Sequence, residues 1–443
     1  MNTLSPARYL VIGFFIVTLF GGILLSLPMT HQPGQNVSFI DALFTSTSAI
    51  CVTGLVVVDT ATSFNLVGQI IILMLVQIGG IGFVTFATLF TVMLGKKVSV
   101  RERLLLAESF KQNKIQGVVR LLIFVMSITF IFELMGTLLL SIRFIPQWGL
   151  EKGLYFSFFH AVSAFNNAGF DLFGHVEKFS SFSLYADDPL VSFTISGLVI
   201  VGGLGFIVIY ELFHYWKTKR LSLHSKLVLA TSGFLLILGT FVILLIEWSN
   251  PETLGNLSFQ GKLWAAHFHA ASPRSGGIST LSLTSMYSAS LFFIVFLMFI
   301  GAAPGSTGGG IKSSTFAIII LAVWGMLRGK QHVEIFKRRI SYIYVYRALT
   351  ITILAIGFLI FGTMTLTILE RTDIFTALFE TVSAFGTVGF SLGLTPKLSI
   401  PGKILIIILM FIGRLGPITI GFALANRSRP TSYKYPEEKL VIG

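Results

Sequence analysis

Ser383-Ala384-Phe385-Gly386-Thr387-Val388-Gly389-Phe390 is the stretch on which the architecture turns, because three earlier segments share its outline. They are Ser48-Ala49-Ile50-Cys51-Val52-Thr53-Gly54-Leu55, Ser163-Ala164-Phe165-Asn166-Asn167-Ala168-Gly169-Phe170 and Ala271-Ser272-Pro273-Arg274-Ser275-Gly276-Gly277-Ile278. Gly54, Gly169, Gly277 and Gly389 recur at near-constant intervals, the signature of four degenerate copies of one unit. Upstream the register persists: Asp41-Ala42-Leu43-Phe44 matches Thr376-Ala377-Leu378-Phe379, and Ser157-Phe158-Phe159 falls likewise. Downstream a second string keeps step: Gly79-Gly80-Ile81-Gly82, Gly202-Gly203-Leu204-Gly205, Gly301-Ala302-Ala303-Pro304 and Gly413-Arg414-Leu415-Gly416. Only the second copy is spread, by a linker from Asp171 to Asp188.

Long apolar stretches such as Tyr9 to Leu27, Leu121 to Ile142, Leu227 to Trp248 and Ala348 to Leu369 precede the loops, and others follow them. Crossing a bilayer takes roughly 20 apolar residues as a helix. The amphipathic segments that end at each loop glycine are about half that length, which fits a re-entrant half-helix. Each unit therefore reads as outer helix, re-entrant pore helix with loop, and inner helix. The expected fold is an all-α membrane protein of four helix, pore-loop, helix repeats around a central pore, with eight spanning segments and four re-entrant pore helices. Repeat 1 covers 1–95, a basic linker 96–116, repeat 2 117–215, a second linker 216–226, repeat 3 227–328, a third linker 329–342, repeat 4 343–426 and a tail 427–443.

Composition agrees with a membrane solvent. The 443 residues are 54% hydrophobic and 12% charged, with a net charge of +13. Most of the 32 lysines and arginines gather in the stretches Lys96 to Arg120, Lys217 to Lys226, Arg328 to Arg347 and Arg427 to Lys439. Those stretches lie on one side in the eight-span topology, so the positive-inside rule places both termini in the cytoplasm and all four loops outside. The same distribution assigns the charge to topology and anionic lipid rather than to nucleic acid. With one cysteine, Cys51, the chain forms no internal disulfide, and no Cys/His spacing suggests structural zinc. The first apolar stretch is too long for a signal core and is expected to be a retained helix.

A cation that sheds its water needs replacement oxygens, and backbone carbonyls aimed at a common axis supply them. Turning a carbonyl inward commonly requires a φ that side chains with a β-carbon resist, which explains one glycine per loop. A single membrane glycine more often marks helix packing; four in register point to a ring. The candidate filter is Val52-Thr53-Gly54, Asn167-Ala168-Gly169, Ser275-Gly276-Gly277 and Thr387-Val388-Gly389. Its carbonyls are the expected ligands, while the side chains of Thr53, Asn166, Asn167, Ser275 and Thr387 are expected to brace the loops.

At these residues the chain resembles the Trk/Ktr/HKT superfamily of potassium transporters, and within it the membrane subunit of a bacterial Ktr system. The resemblance rests on Asp41-Ala42-Leu43-Phe44, Val52-Thr53-Gly54-Leu55, Phe165-Asn166-Asn167-Ala168-Gly169-Phe170, Ala384-Phe385-Gly386-Thr387-Val388-Gly389 and Phe411-Ile412-Gly413-Arg414-Leu415-Gly416-Pro417, and covers nearly the whole chain. It implies that Gly54, Gly169, Gly277 and Gly389 coordinate potassium, and that glycine in the first loop goes with potassium over sodium. The third loop departs from the usual Arg-Thr-Ala-Gly-Phe, reading Arg274-Ser275-Gly276-Gly277-Ile278. Also implied are a bacterial plasma membrane location, a homodimer with one pore in each protomer, and a separate cytoplasmic ring of RCK subunits that binds ATP or ADP. The basic linkers Lys96 to Arg120 and Lys217 to Lys226, with the tail after Arg427, are the expected docking points. No resident cofactor is expected: potassium is the cargo, and sodium the candidate activator.

Gly301 to Lys312 carries five glycines and a proline and cannot hold a regular helix. Unwound backbone at membrane depth suits a plug below a filter, and the resemblance implies an intramembrane gate there. The gate set is Gly305, Ser306, Thr307, Gly308, Gly309, Gly310, Lys312 and Arg414. A nucleotide-binding loop is excluded because Ile311 separates the last glycine from Lys312. An intramembrane arginine needs a reason: Arg414 is read as a barrier in the pore or a hydrogen-bond donor to the broken segment. Arg274 is expected to brace its loop. Asp41, Glu133, Glu211 and Glu380 read as structural partners or pore-helix termini, and His160, His267 and His269 as packing or hydrogen-bonding residues. A coupled secondary transporter is the rival function, since broken helices and repeats occur there too. A membrane enzyme would need a convergent nucleophile, base and orienter, which the sequence does not offer.

Overall fold

The computed structural model describes residues 6–94, 98–109 and 116–417, together with Thr419, Gly421 and Glu438. The tail 427–443, apart from Glu438, and the linker residues Lys96, Lys97, Lys111 and Lys114 lie outside the described residues.

Each repeat opens on a long apolar helix: Pro6–Leu25, Val118–Trp148, Leu223–Glu247 and Tyr342–Glu370. No more than 39% of the central window of any of them is buried. Phe15, Phe130, Phe241 and Phe361 are among the apolar side chains left on the outside. A helix that is apolar all round and mostly uncovered belongs in lipid.

The short helices behave oppositely. Phe39–Cys51, Leu150–Phe165, Phe259–Ala271 and Ile374–Gly386 bury nearly all of their C-terminal halves. Three start on side-chain caps, where Ser38 accepts from Asp41 N, Ser258 from Gly261 N and Asp373 from Thr376 N. At 13 to 16 residues they reach about 20 to 24 Å, short of a bilayer core.

The helix after each loop is also short: Leu66–Ile81, Pro189–Gly203, Ser288–Phe299 and Ile400–Leu415. Sequence reasoning placed the second glycine string inside these helices and broke only the third. The structure instead ends the first, second and fourth at the last glycine of the string. Gly82, Gly205 and Gly416 have φ of 93°, 89° and 85°, a region closed to helical residues. The chain then turns by 99° into Phe83–Met93 and by 98° into Phe206–Thr218. In the third repeat the whole segment Gly301–Lys312 is non-helical before Ser313–Leu327 resumes. Among the described residues four helices are long and apolar enough to span, or six if each bent pair counts as one.

The repeats close on themselves. Each post-loop helix packs on the short helix of the next repeat, and Ile400–Leu415 returns to Phe39–Cys51. Lys403 Nζ, 2.5 Å from Asp41 Oδ1, fastens that closure. Two linker features depart from plain connection. Val100–Ser109 is a helix with a capping box, in which Ser99 N donates to Glu102 Oε2 at 2.7 Å and Glu102 N to Ser99 Oγ. Residues 329–342 hold a β-hairpin pairing Val333–Ile335 with Arg338–Ile340, a small exception to the all-α expectation.

Candidate functional site

The four loops share one backbone. After each short helix comes a residue of positive φ, Val52, Asn167, Ser275 and Thr387 having φ of 57°, 59°, 90° and 49°; Val52 and Thr387 cap their helices directly, whereas Asn167 and Ser275 follow the right-handed caps Asn166 and Ser272. Two residues later Gly54, Gly169, Gly277 and Gly389 return to positive φ at 87°, 72°, 67° and 101°. Between them one amide always folds back on the helix: Thr53 N on Ser48 O, Ala168 N on Ser163 O, Gly276 N on Ser272 O and Val388 N on Ser383 O, at 2.6 to 2.9 Å. Positive φ two residues apart makes the intervening backbone alternate in direction, which is how carbonyls come to face one side.

The same four serines brace the chain beyond. Gly54 N donates to Ser48 Oγ at 3.0 Å and Gly389 N to Ser383 Oγ at 3.2 Å, while Ser163 Oγ donates to Phe170 O at 2.7 Å and Ser272 Oγ to Ile278 O at 2.5 Å. Sequence reasoning missed this role although the serines open three of the repeated strings. In the third string it set Ala271 against them; the structure uses Ser272 and drops one residue before the glycine. Three residues before the serine, a buried polar side chain holds the outgoing strand in three repeats. His160 Nε2 accepts from Leu172 N at 3.1 Å, and His269 Nε2 is 3.0 Å from Ser279 Oγ. Glu380 accepts from Ser391 Oγ, Leu392 N and Thr395 Oγ1. These histidines hydrogen-bond, as expected of them.

The glycines meet. A β-carbon on Gly54 would lie 2.6 Å from Ala168 O and 2.8 Å from Gly169 Cα; on Gly169, 3.0 Å from Gly277 Cα. On Gly277 it would run into Val388 O, and on Gly389 into Thr53 O. The carbonyls of Thr53, Ala168 and Val388 thus border a ring of four glycines taken in chain order. Above the ring is a cavity of about 490 Å³ lined by all four glycines and by Asp59 and Asp171. Nothing in the repeats singled out those two acids. Asp59 caps a helical turn by accepting from Thr62 N. Burial pushes Asp171 up to about 7, opposed by the Phe173 amide it accepts from and reinforced by the Asp59 carboxylate.

Below the ring lies the broken segment. Gly308 abuts Ser275 and Gly309 abuts Thr387, each too closely for a side chain, and Gly310 beside Gly386 has a φ of 71°. Lys312 Nζ donates to Gly308 O at 2.7 Å. Arg414 donates to Thr307 O and to Gly79 O. The Asn167 carboxamide, oriented so that both ends are satisfied, accepts from Thr307 Oγ1 at 2.9 Å and donates to Val199 O at 3.1 Å. A second cavity of about 580 Å³ opens beneath, lined by Gly305, Ser306, Lys312 and Arg414 among others. Arg414 therefore both lines that cavity and donates to the broken segment.

The second glycine string explains itself by contact. Gly79, Gly202 and Gly413 press onto the carbonyls of Ile50, Phe165 and Phe385, each four residues before a ring glycine. Gly301 presses instead on Gly309 O of its own segment. Of the expected braces, Asn166, Asn167 and Ser275 do hydrogen-bond. The hydroxyls of Thr53 and Thr387 have no hydrogen-bond partner among the described residues. Arg274 braces through Ser232, donating to its Oγ at 3.0 Å.

The family model described as TrkH, cation transport protein, matches residues 7–429. The chain is 43% identical to Ktr system potassium uptake protein B of Bacillus subtilis (strain 168), across 99% of this chain and 97% of that one. It is 41% identical to potassium/sodium uptake protein NtpJ of Enterococcus hirae, across 99% and 98%. The crystal structure of the potassium transporter TrkH from Vibrio parahaemolyticus is similar in fold, with a TM-score of 0.69 at 19% identity over 94% of this chain and 85% of that one.

Proposed function

The chain belongs to the TrkH cation transport family, and from that membership we propose that it is the ion-conducting membrane subunit of a Ktr-type potassium uptake system. The observation that carries the proposal is the ring of Gly54, Gly169, Gly277 and Gly389, built by four loops of one backbone shape. Potassium entering the outer cavity exchanges water for loop carbonyls, and no carboxylate touches it. Above the ring Asp59 and Asp171 raise the local cation concentration. Below it the segment Gly305 to Lys312 is the gate, held shut by Arg414, whose fixed charge also opposes a descending cation.

On this reading each repeat contributes an outer helix, a re-entrant pore helix and a bent inner helix, so that eight segments cross the bacterial plasma membrane with both termini cytoplasmic. The divisions at 95, 116, 215, 226, 328, 342 and 426 then separate the repeats from linkers that dock a cytoplasmic RCK-type ring binding ATP or ADP. The protein works as a homodimer in anionic lipid, and as a transporter rather than an enzyme. The name of the NtpJ relative favours sodium as a second cation, either carried or activating.

The test is uptake of radioactive rubidium into proteoliposomes carrying the full chain and its regulatory partner, driven by a potassium diffusion potential alone. Uptake that needs no sodium or proton gradient supports a conducting pore. Uptake that appears only with such a gradient moves the coupled secondary transporter ahead.

A further inference from the structure

Val118–Trp148 is 31 residues long, and halfway along it sits Glu133, 3% exposed. A carboxyl group at that depth is costly unless something is gained by keeping it there. Its hydrogen bonds come from two amides. Gln77 Nε2 donates to Glu133 Oε2 at 2.9 Å, and Asn166 Nδ2 donates to Glu133 Oε1 at 3.0 Å. Asn166 Nδ2 also lies 2.5 Å from Gln77 Oε1. Three helices are joined at this point: the long helix of repeat 2, the post-loop helix of repeat 1 and the C-terminus of the Leu150–Phe165 helix.

Asn166 stands next to the left-handed Asn167 and three residues before Gly169. Its Oδ1 is buried without a hydrogen-bond partner among the described residues and is pressed against Gly80, where a β-carbon would collide with it. The Nδ2 also donates to Val162 O of its own helix at 3.0 Å, so the carboxamide is oriented from its nitrogen side, by that carbonyl, by the carboxylate and by Gln77. The same register position in the third loop is Arg274, which bonds Ser232 on the long helix of its own repeat. The first and fourth loops carry Cys51 and Gly386 there. Two of the four loops are therefore tied from behind to their own long helices, and in the second the tie ends on an acid.

We propose that Glu133 is a positioning residue for the second filter loop, fixing Asn166 and through it the Ala168 and Gly169 carbonyls at the spacing that suits potassium. The proposal rests on the filter reading above. Without the acid the loop is free to close on a smaller ion, so sodium should compete better.

The experiment uses the full-length protein with its regulatory partner in proteoliposomes. Potassium and sodium compete for radioactive rubidium uptake, normalised to folded protein by size-exclusion chromatography, in wild type, Glu133→Gln, Gln77→Leu and the double variant. The expected result is a loss of potassium-over-sodium preference of about fivefold in each single variant, the worth of one hydrogen bond, with the double variant losing little more. A purely structural role would lower the amount of folded protein and leave the preference per folded transporter unchanged, and that result overturns the proposal. If Glu133→Gln does not fold, the preference of Gln77→Leu decides in the same way. A wild type that does not prefer potassium overturns the filter reading and this inference together, whereas a selective wild type with equally selective variants overturns the inference alone.

Discussion

The Asn167 carboxamide accepts from Thr307 Oγ1 at 2.9 Å, so a residue of the second glycine loop and a residue of the broken third-repeat segment share one hydrogen bond. On the proposed reading of the loop as filter and the segment as gate, what loosens one is felt by the other. Thr307→Val keeps the side-chain shape and deletes the donor, and Asn167→Gly keeps the positive φ and deletes the acceptor. Each should raise rubidium uptake per folded transporter about fivefold, and together no more than either alone, a coupling of roughly 1 kcal/mol in a double-mutant cycle of uptake rates.

Arg414 closes the same assembly from below by donating to Thr307 O and Gly79 O. Arg414→Gln removes the fixed charge and at least one of these charge-assisted bonds. Uptake should rise on the order of tenfold with the order of cation preference unchanged, since the ring itself is untouched. Flux and cation competition measured on the same preparation check both halves of the statement.

Gly413 faces the Phe385 carbonyl so closely that a methyl group would sit 2.7 Å from Phe385 C. Gly413→Ala should cost about 1 to 3 kcal/mol as overpacking and lower the melting temperature of the purified protein. Gly357, in the helix Tyr342–Glu370, has nothing within 4 Å of the same position. Gly357→Ala should leave stability unchanged or raise it by about 0.5 to 1 kcal/mol.

Asp171 borders the outer cavity, and its pKa, pushed up to about 7 chiefly by burial, makes it charged above that pH and neutral below. As external pH falls from 8 to 6 the cavity loses a negative charge. The potassium concentration for half-maximal uptake should then rise roughly twofold, the effect of about 0.5 kcal/mol expected of one water-screened charge. Asp171→Asn should show the raised value at pH 8 and no further change at pH 6. Uptake curves at the two pH values read this directly.

Much of the architecture was legible in the sequence because it repeats. One glycine per loop and a second glycine string in step with it identified the four units, and the structure gives both a cause. Gly54 and its counterparts need positive φ and lie against each other's backbone, while Gly79, Gly202 and Gly413 need to approach a helix-end carbonyl. What stayed hidden depended on conformation or on distant partners. Val52, Asn167, Ser275 and Thr387 are left-handed without being glycine, so their residue types did not advertise it. The bends at Gly82 and Gly205 were masked by apolar residues on both sides, which read as one continuous span. Ser272 was misaligned because the third loop is one residue shorter. Asp59 and Asp171 come together only in the folded chain, as do Glu133 and Asn166, whose types alone suggest no more than a structural partner.

If the four glycines form the site that tells potassium from sodium, Gly54→Ser abolishes that discrimination. A β-carbon at Gly54 meets Ala168 O and Gly169 Cα, so the substitution must displace a neighbouring loop within the ring. The measurement is competition of potassium and sodium against radioactive rubidium uptake in proteoliposomes, wild type beside Gly54→Ser, with the regulatory partner present. The expected result is a wild type that prefers potassium and a folded variant that still conducts but has lost most of that preference. A variant that folds, conducts and discriminates as the wild type does would contradict it.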